Sequence, residues 1–343
     1  MTKRNICITA ADGQTGHLIA ELLLTDDHFK KHFDTVTCLA LDPSKCKDLE
    51  KLGAHVVAHE PGRVSKMANV LKKMGVDAIM VIPPTHVDKF DITHELITAT
   101  KKAGVPNVCF LSSAGCDLAD PQKQPRLREF IDLEQLILAA KGDASTAAGH
   151  SPVVIRAGFY AENVLLYAKH MREEHTFPAP LGEDHKFAPI ALGDVAQVAA
   201  HVLSGKGKHG FSDKHRGQLI VLTGPMLATG DELATAASQA LGVEIKYENI
   251  SEREAKRMLK SQSALDQSEM EYLLEYYALV REGKTNYIST LAFHDTTQMH
   301  PQEPVEFFKV YKGEFAGNGA VKHKQQGNGT GDEQRSKKRK TGK

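Results

Sequence analysis

The segment Ile6-Cys7-Ile8-Thr9-Ala10-Ala11-Asp12-Gly13-Gln14-Thr15-Gly16-His17 decides the fold. A short apolar run passes through a tight turn and opens into an amphipathic stretch, so the order is strand, turn, helix. In a dinucleotide-binding fold such a turn brings backbone N–H groups against a pyrophosphate, which rests on the positive end of the helix dipole. Gly13 and Gly16 occupy the second and third glycine positions of a G-x-G-x-x-G pattern, where close approach and close helix–strand packing demand a missing side chain. Ala10 stands at the first. Ala11, Gly13, Gln14, Thr15 and Gly16 are therefore the expected phosphate-binding set. A purely structural strand–helix turn would carry the same pattern.

Outward from this turn, short β-rich runs at 5–10, 36–41, 55–58, 78–82, 108–112 and 153–157 alternate with amphipathic segments at 15–24, 43–52, 64–74, 91–103 and 126–140. Strands separated by one helix each imply right-handed βαβ units and a parallel sheet covered on both faces. The spacing predicts a doubly wound α/β fold, with a Rossmann domain over residues 1–158. Past Gly158 the rhythm changes. Phe177-Pro178-Ala179-Pro180-Leu181-Gly182 reads as a loop, 219–222 as a strand, and helices are expected at 193–203, 230–241, 252–260, 268–282 and 302–315. Residues 159–315 are expected to form a smaller α/β lobe on the carboxyl edge of the sheet, where ligands of such folds bind. Residues 316–343 hold eight Lys and Arg against Asp332 and Glu333, with almost nothing apolar. They read as a disordered basic tail.

Further ligand candidates lie where strands end. After the second strand a ribose-binding acid indicates NAD and an Arg indicates NADP; here Leu41 is followed by Asp42, Pro43, Ser44 and Lys45. Asp42 suits a ribose hydroxyl and Lys45 a 2′-phosphate, and Asp42 equally suits a helix cap with Pro43 at the first helical position. Pro83-Pro84-Thr85 follows the fourth strand, as a rigid floor for a ribose with Thr85 beside it. Ser112 and Ser113 end the fifth, where hydroxyls reach a nicotinamide or substrate. Either pair also reads as an ordinary turn.

Composition bounds the remaining classes. Five cysteines, Cys7, Cys38, Cys46, Cys109 and Cys116, lack C-x-x-C spacing and fall mostly in apolar runs, the usage of a reducing compartment. No stretch approaches the roughly 18 apolar residues of a membrane span, and no signal-peptide core follows Met1. A soluble cytoplasmic protein is expected, without membrane association. Without the tail the chain carries 35 basic and 41 acidic residues, which argues against direct nucleic-acid binding. The tail's Lys337-Lys338-Arg339-Lys340 reads either as a nuclear-import signal or as a solvated cluster. The 17 histidines show no zinc-ligand spacing with a third partner, so no metal is expected. The pattern over 270–279 reads as core packing.

The residues also carry a family resemblance. Besides 8–17 it rests on Pro43-Ser44-Lys45, on 99–113, on Val154-Ile155-Arg156-Ala157-Gly158-Phe159-Tyr160-Ala161-Glu162-Asn163, on 189–196 and on Tyr247-Glu248-Asn249-Ile250-Ser251. Over roughly residues 4–315 the chain resembles the NmrA-like family of atypical short-chain dehydrogenases, which includes nitrogen-metabolism regulators, redox sensors and small quinone reductases. The resemblance implies NAD(P) as ligand and Phe159, Tyr160 and Asn163 as the lining of a substrate pocket. Two departures stand out: Ala10 replaces the first glycine, and Leu41 stands where NADP-binding members place an arginine. NAD and NADP are therefore both open. The Tyr-x-x-x-Lys pair of the wider superfamily is missing, since the helix after strand five has no tyrosine and its single lysine is Lys141 at the far end. No catalytic side chain is assigned on this reading. The expectation is a nucleotide- or redox-sensing regulator with a protein partner; the alternative is an NAD(P)H-dependent reductase of quinones or similar small electrophiles.

Overall fold

The computed structural model describes residues 3–139, 151–208, 210–262 and 266–316; of the expected basic tail only Ala316 is among them, as the last residue of a helix, and the rest lies outside. Its strands are β1 (Arg4–Ile8), β2 (Phe33–Ala40), β3 (His55–Ala58), β4 (Ala78–Val81), β5 (Asn107–Ser113), β6 (Val153–Ala157), β7 (Thr176–Ala179), β8 (Leu219–Leu222) and β9 (Lys246–Asn249). Its helices are α1 (Gln14–Thr25), α2 (Asp27–Lys30), α3 (Lys47–Lys51), α4 (Val64–Lys73), α5 (Lys89–Ala103), α6 (Pro125–Leu138), α7 (Ala168–Glu173), α8 (Leu192–Ser204), α9 (Gly230–Leu241), α10 (Glu252–Gln262), α11 (Gln267–Arg281), α12 (Thr290–Thr297), α13 (Pro304–Val310) and α14 (Lys312–Ala316).

Seven strands form one parallel sheet in the order β3-β2-β1-β4-β5-β6-β8, so the doubly wound α/β reading holds. Alternation along each central strand feeds both faces. Ile6 and Ile8 of β1, with Ala78 and Met80 of β4, join a core that includes Ile19, Leu23, Val195 and Leu203 from α1 and α8. Cys7, Ile79 and Val81 join the opposite core with Leu71, Leu96 and Leu133 from α4, α5 and α6. All five cysteines are buried free thiols. A third core, with Tyr167, Phe177, Leu273 and Tyr277, gathers β7, α9 and α11 and takes in Leu127 of α6.

The structure revises several expected elements. Residues 176–179 are a strand, not a loop: β7 pairs in parallel with β9 as a separate two-stranded sheet. Pro178 is tolerated because a two-stranded sheet is all edge, and an edge strand has a side that needs no N–H donor. The helix expected over 302–315 is broken into α13 and α14, and the one over 43–52 opens with a 3₁₀ turn at Pro43–Cys46. Beyond residue 158 the chain contributes to both bodies. α8 packs on α1, and β8 pairs with β6 at the end of the large sheet.

Two half-buried carboxylates fasten the C-terminal helices to α8. Glu162 accepts hydrogen bonds from the Leu192 amide (2.9 Å) and the Tyr311 hydroxyl (3.2 Å), while Asp194 accepts from the Gln302 amide (2.7 Å). Burial pushes Glu162 up to about 7 and Asp194 up to about 6. A raised folded-state value means that the folded form binds the proton more tightly than the unfolded chain. This contribution is therefore complete below the ordinary carboxylate range and is lost as pH rises through 6 to 7. In thermal unfolding of wild type and Glu162→Gln, the variant should gain on wild type as pH rises from 5 to about 7 and then hold level. A difference independent of pH would contradict the assignment.

Candidate functional site

α1 starts against the exit of β1 with no room between them. A Cβ at Gly16 would lie 2.4 Å from the Ala10 carbonyl oxygen and 2.8 Å from that of Thr9, so only glycine lets the helix sit there. Gly13 differs: its Cβ would meet only the Ala10 oxygen, at 3.4 Å. The space beside Gly13 is open, and no side chain caps the N-terminal amides of α1. Ala10 itself adopts φ 47°, a left-handed conformation that costs a non-glycine residue roughly 1–2 kcal/mol. The turn is closed by hydrogen bonds from the Gly13 amide to the Ala10 oxygen and from the Ala11 amide to the Leu39 oxygen, both 3.0 Å. Buried Thr9 joins β1 to the residue before Pro83, its hydroxyl donating to the Ile82 oxygen (3.1 Å) and accepting from the Ile82 amide (2.8 Å). Together these features form an uncapped, bare-backbone cradle suited to a phosphate.

The end of β2 is built from acids. Asp12 accepts hydrogen bonds from the amides of Leu41 (3.2 Å) and Asp42 (3.0 Å). Asp42 caps the 3₁₀ turn, accepting from the Ser44 amide (3.0 Å) and hydroxyl (2.6 Å), and these bonds hold its carboxyl below the usual range. The helix-cap role is thus realised, while Asp42 stays exposed beside the cradle together with Lys45. His17, on α1, meets Asp48 at 2.8 Å and the Ala11 oxygen at 3.2 Å.

At the carboxyl ends of β4, β5 and β6 the structure gathers Thr85, Ser113 and Tyr160 around α11. Tyr160 sets its hydroxyl against the side chain of Thr15, and burial pushes it up to about 12. Glu269 of α11 lies against Thr85, its carboxyl raised by burial. The Ser113 and Tyr272 hydroxyls are 2.8 Å apart; burial keeps the Tyr272 phenol protonated well beyond its ordinary range. Phe130 and Tyr276 flank the Tyr272 ring at 5.9 and 6.4 Å, and the Lys89 ammonium lies 5.6 Å from its centre. The result is a pair of neutral hydroxyls with aromatic walls: when Ser113 donates to the Tyr272 oxygen, the Tyr272 proton is left for a ligand oxygen or nitrogen.

Ser112 does not join them. Adjacent residues of a strand face opposite sides, and the Ser112 hydroxyl donates to buried Glu134 (2.5 Å), which Arg156 grips with two bonds of 2.8 Å. Arg156 reaches Asp117 as well, at 2.9 Å. This network ties α6 to β5 and β6. Phe159 is 4% exposed and packs on Phe187, Tyr276 and Tyr277, so it backs the pocket wall. Asn163 is half-buried, with its amide bonded to the Tyr160 oxygen (3.0 Å); Pro83 is half-buried and Gln14 exposed. Sequence reasoning missed Asp12, Glu269 and Tyr272. The only sequence signal for the last two was a pair of polar-capable side chains three apart on one face of a helix otherwise rich in core residues.

A match to the NmrA-like family runs over residues 2–313. The chain is 29% identical to an NAD(P)H azoreductase of Xenophilus azovorans over 267 residues, covering 78% of this chain and 85% of that protein. It is also 29% identical to quinone oxidoreductase 2 of Escherichia coli (strain K12) over 262 residues, covering 75% and 81%. Among solved structures, NmrA, a negative transcriptional regulator in complex with NADP, superposes with a TM-score of 0.70 at 15% identity, over 93% of this chain and 99% of that one. With its sheet order and its glycine turn in place, the chain belongs to the NmrA-like family.

Proposed function

We propose that this protein binds a nicotinamide dinucleotide along the carboxyl ends of β1, β2, β4 and β5 and serves as a reductase of small flat electrophiles, quinones or azo compounds. The observation that carries nucleotide binding is Ala10. A strained left-handed alanine beside an open Gly13 keeps the phosphate-turn shape at a cost that a merely structural turn has no need to bear. In this reading the first-turn amides of Gln14, Thr15 and Gly16 hold the pyrophosphate over the bare backbone of Gly13, Ala11 shapes the turn behind them, Asp42 takes the adenosine ribose, and Pro83, Thr85 and Ser113 the nicotinamide end. Bound there, a reduced nicotinamide supplies hydride. The chain's own work is to orient the acceptor: Tyr272, steadied by Ser113, donates a hydrogen bond to its oxygen or nitrogen, and Tyr160 and Asn163 line the approach. No tyrosine on α6 is needed, because water can protonate a quinone product. The named azoreductase and quinone oxidoreductase, matched across both lobes, support this class.

One feature favours regulation as a second reading. Tyr160 against Thr15 and Glu269 against Thr85 set second-lobe side chains directly on the nucleotide cradle, so ligand occupancy would act on the position of α11. Likeness to NmrA points the same way, and the basic cluster 337–340 would then serve nuclear entry.

Calorimetric titration with oxidised and reduced nucleotides, followed by turnover with a quinone and an azo dye, separates the readings. Binding with turnover supports the reductase, binding without turnover supports the regulator, and no binding rejects both. Gly13→Val should abolish nucleotide binding while leaving the thermal midpoint nearly unchanged. Gly16→Ala should lower that midpoint, because its methyl group meets backbone. Tyr272→Phe should reduce turnover on the order of 10²-fold, the usual loss for one preorganised donor, with nucleotide affinity intact; undiminished turnover would remove Tyr272 from the site.

A further inference from the structure

We infer that the pocket at the end of β2 selects NAD(H) over NADP(H), and that Asp12 sets the preference; this rests on the proposed nucleotide site. The two cofactors differ in one group on the adenosine ribose. NAD(H) presents a diol with two O–H donors, and NADP(H) a phosphate carrying a charge of about −1.5 to −2 at neutral pH. A diol is satisfied by carboxylates, which only accept. A phosphate is satisfied by cations and free N–H groups.

The structure offers the first kind of partner. The backbone amides that follow β2, those of Leu41 and Asp42, are already taken by the two oxygens of Asp12, at 3.2 and 3.0 Å. They are therefore not free donors. The Ser44 amide and hydroxyl are likewise committed, both to one oxygen of Asp42, which leaves the other oxygen of this exposed carboxylate to accept from a ribose. Charge agrees with hydrogen bonding. The buried Cys46 thiol, immediately beneath, is pushed up to about 11 by burial and then by the carboxylates of Asp12, Asp48, Asp42 and Glu50. A 2′-phosphate here would enter the field of all four.

The countercharges are few. Lys45 acts on Asp42, and His17 is held between Asp48 and the Ala11 oxygen. His59, buried past β3, is kept below its ordinary range by burial despite the carboxylates of Glu95 and Asp12, so its charged form is disfavoured. Leu41 contributes no cation where an arginine would stack and pair.

The test is a calorimetric comparison of NADH with NADPH on the full-length protein at low and high salt. NADH should bind more tightly by roughly tenfold or more, about 1.4 kcal/mol or above, and the ratio should narrow as salt screens the carboxylates. Asp12→Asn, which removes a charge and keeps an acceptor, should tighten NADPH more than NADH. Leu41→Arg, which leaves Asp12 and its two amide bonds in place, should narrow the ratio independently, so the inference does not hang on one variant folding. NADPH binding to wild type as tightly as NADH, or more tightly, overturns the preference and leaves the nucleotide site standing. Binding of neither overturns both. A wild-type preference for NADH that both variants leave unchanged would remove Asp12 and the charge field as its cause.

Discussion

The closeness of α1 to the exit of β1 is the constraint from which the rest of the molecule follows. With no side chain at Gly16, the helix rests on the carbonyls of Thr9 and Ala10, and its axis is set by backbone rather than by interchangeable side chains. That placement aims the uncapped first turn of α1 at the carboxyl edge of the sheet. It also offers the outer side of α1 to α8, whose Val195, Ala199 and Leu203 complete the core on that face. A ligand site and a packing interface thus share one close contact.

Most of the large sheet was legible because parallel strands buried on both faces read as short apolar runs between helices of regular length. Runs 55–58, 153–157 and 219–222 coincide with β3, β6 and β8. β7 and β9 escaped notice for opposite reasons: Pro178 and Pro180 imitate a loop, and Lys246–Asn249 is largely polar because its sheet has only two strands. At the site, features that depend on the local turn were readable: the close packing at Gly16, the bare backbone at Gly13 and the cap at Asp42. Residues whose role depends on distant chain were not. Asp12 is an unremarked turn residue until β2 brings the Leu41 and Asp42 amides to it, and Tyr272 is a core-like aromatic until α11 lies over Ser113.

α11 is joined to α6 by polar contacts rather than by a greasy seam alone. Glu275 of α11 accepts from the amides of Arg126 (3.2 Å) and Leu127 (2.8 Å), capping a helix that belongs to the other body, and Glu271 pairs with the Arg126 side chain at 3.4 Å. A cap supplied from outside satisfies donors that α6 cannot satisfy itself. It also fixes where Tyr272 and Glu269 stand over the sheet, since all four side chains ride on one helix.

The late return of β8 bears on how the chain comes to be made. β6 lacks its outer partner until residues 219–222 arrive, and α1 lacks its covering helix until 192–204 do. During synthesis from the N-terminus, the six earlier strands of the large sheet would wait with an open edge and an uncovered apolar face, the condition in which nascent chains associate wrongly. Long-range pairing of this kind slows folding as well. A gene cut after the first βαβ repeats would encode a nucleotide cradle without the surfaces that keep it in solution, so the unit that can be inherited, swapped or expressed runs at least through β8.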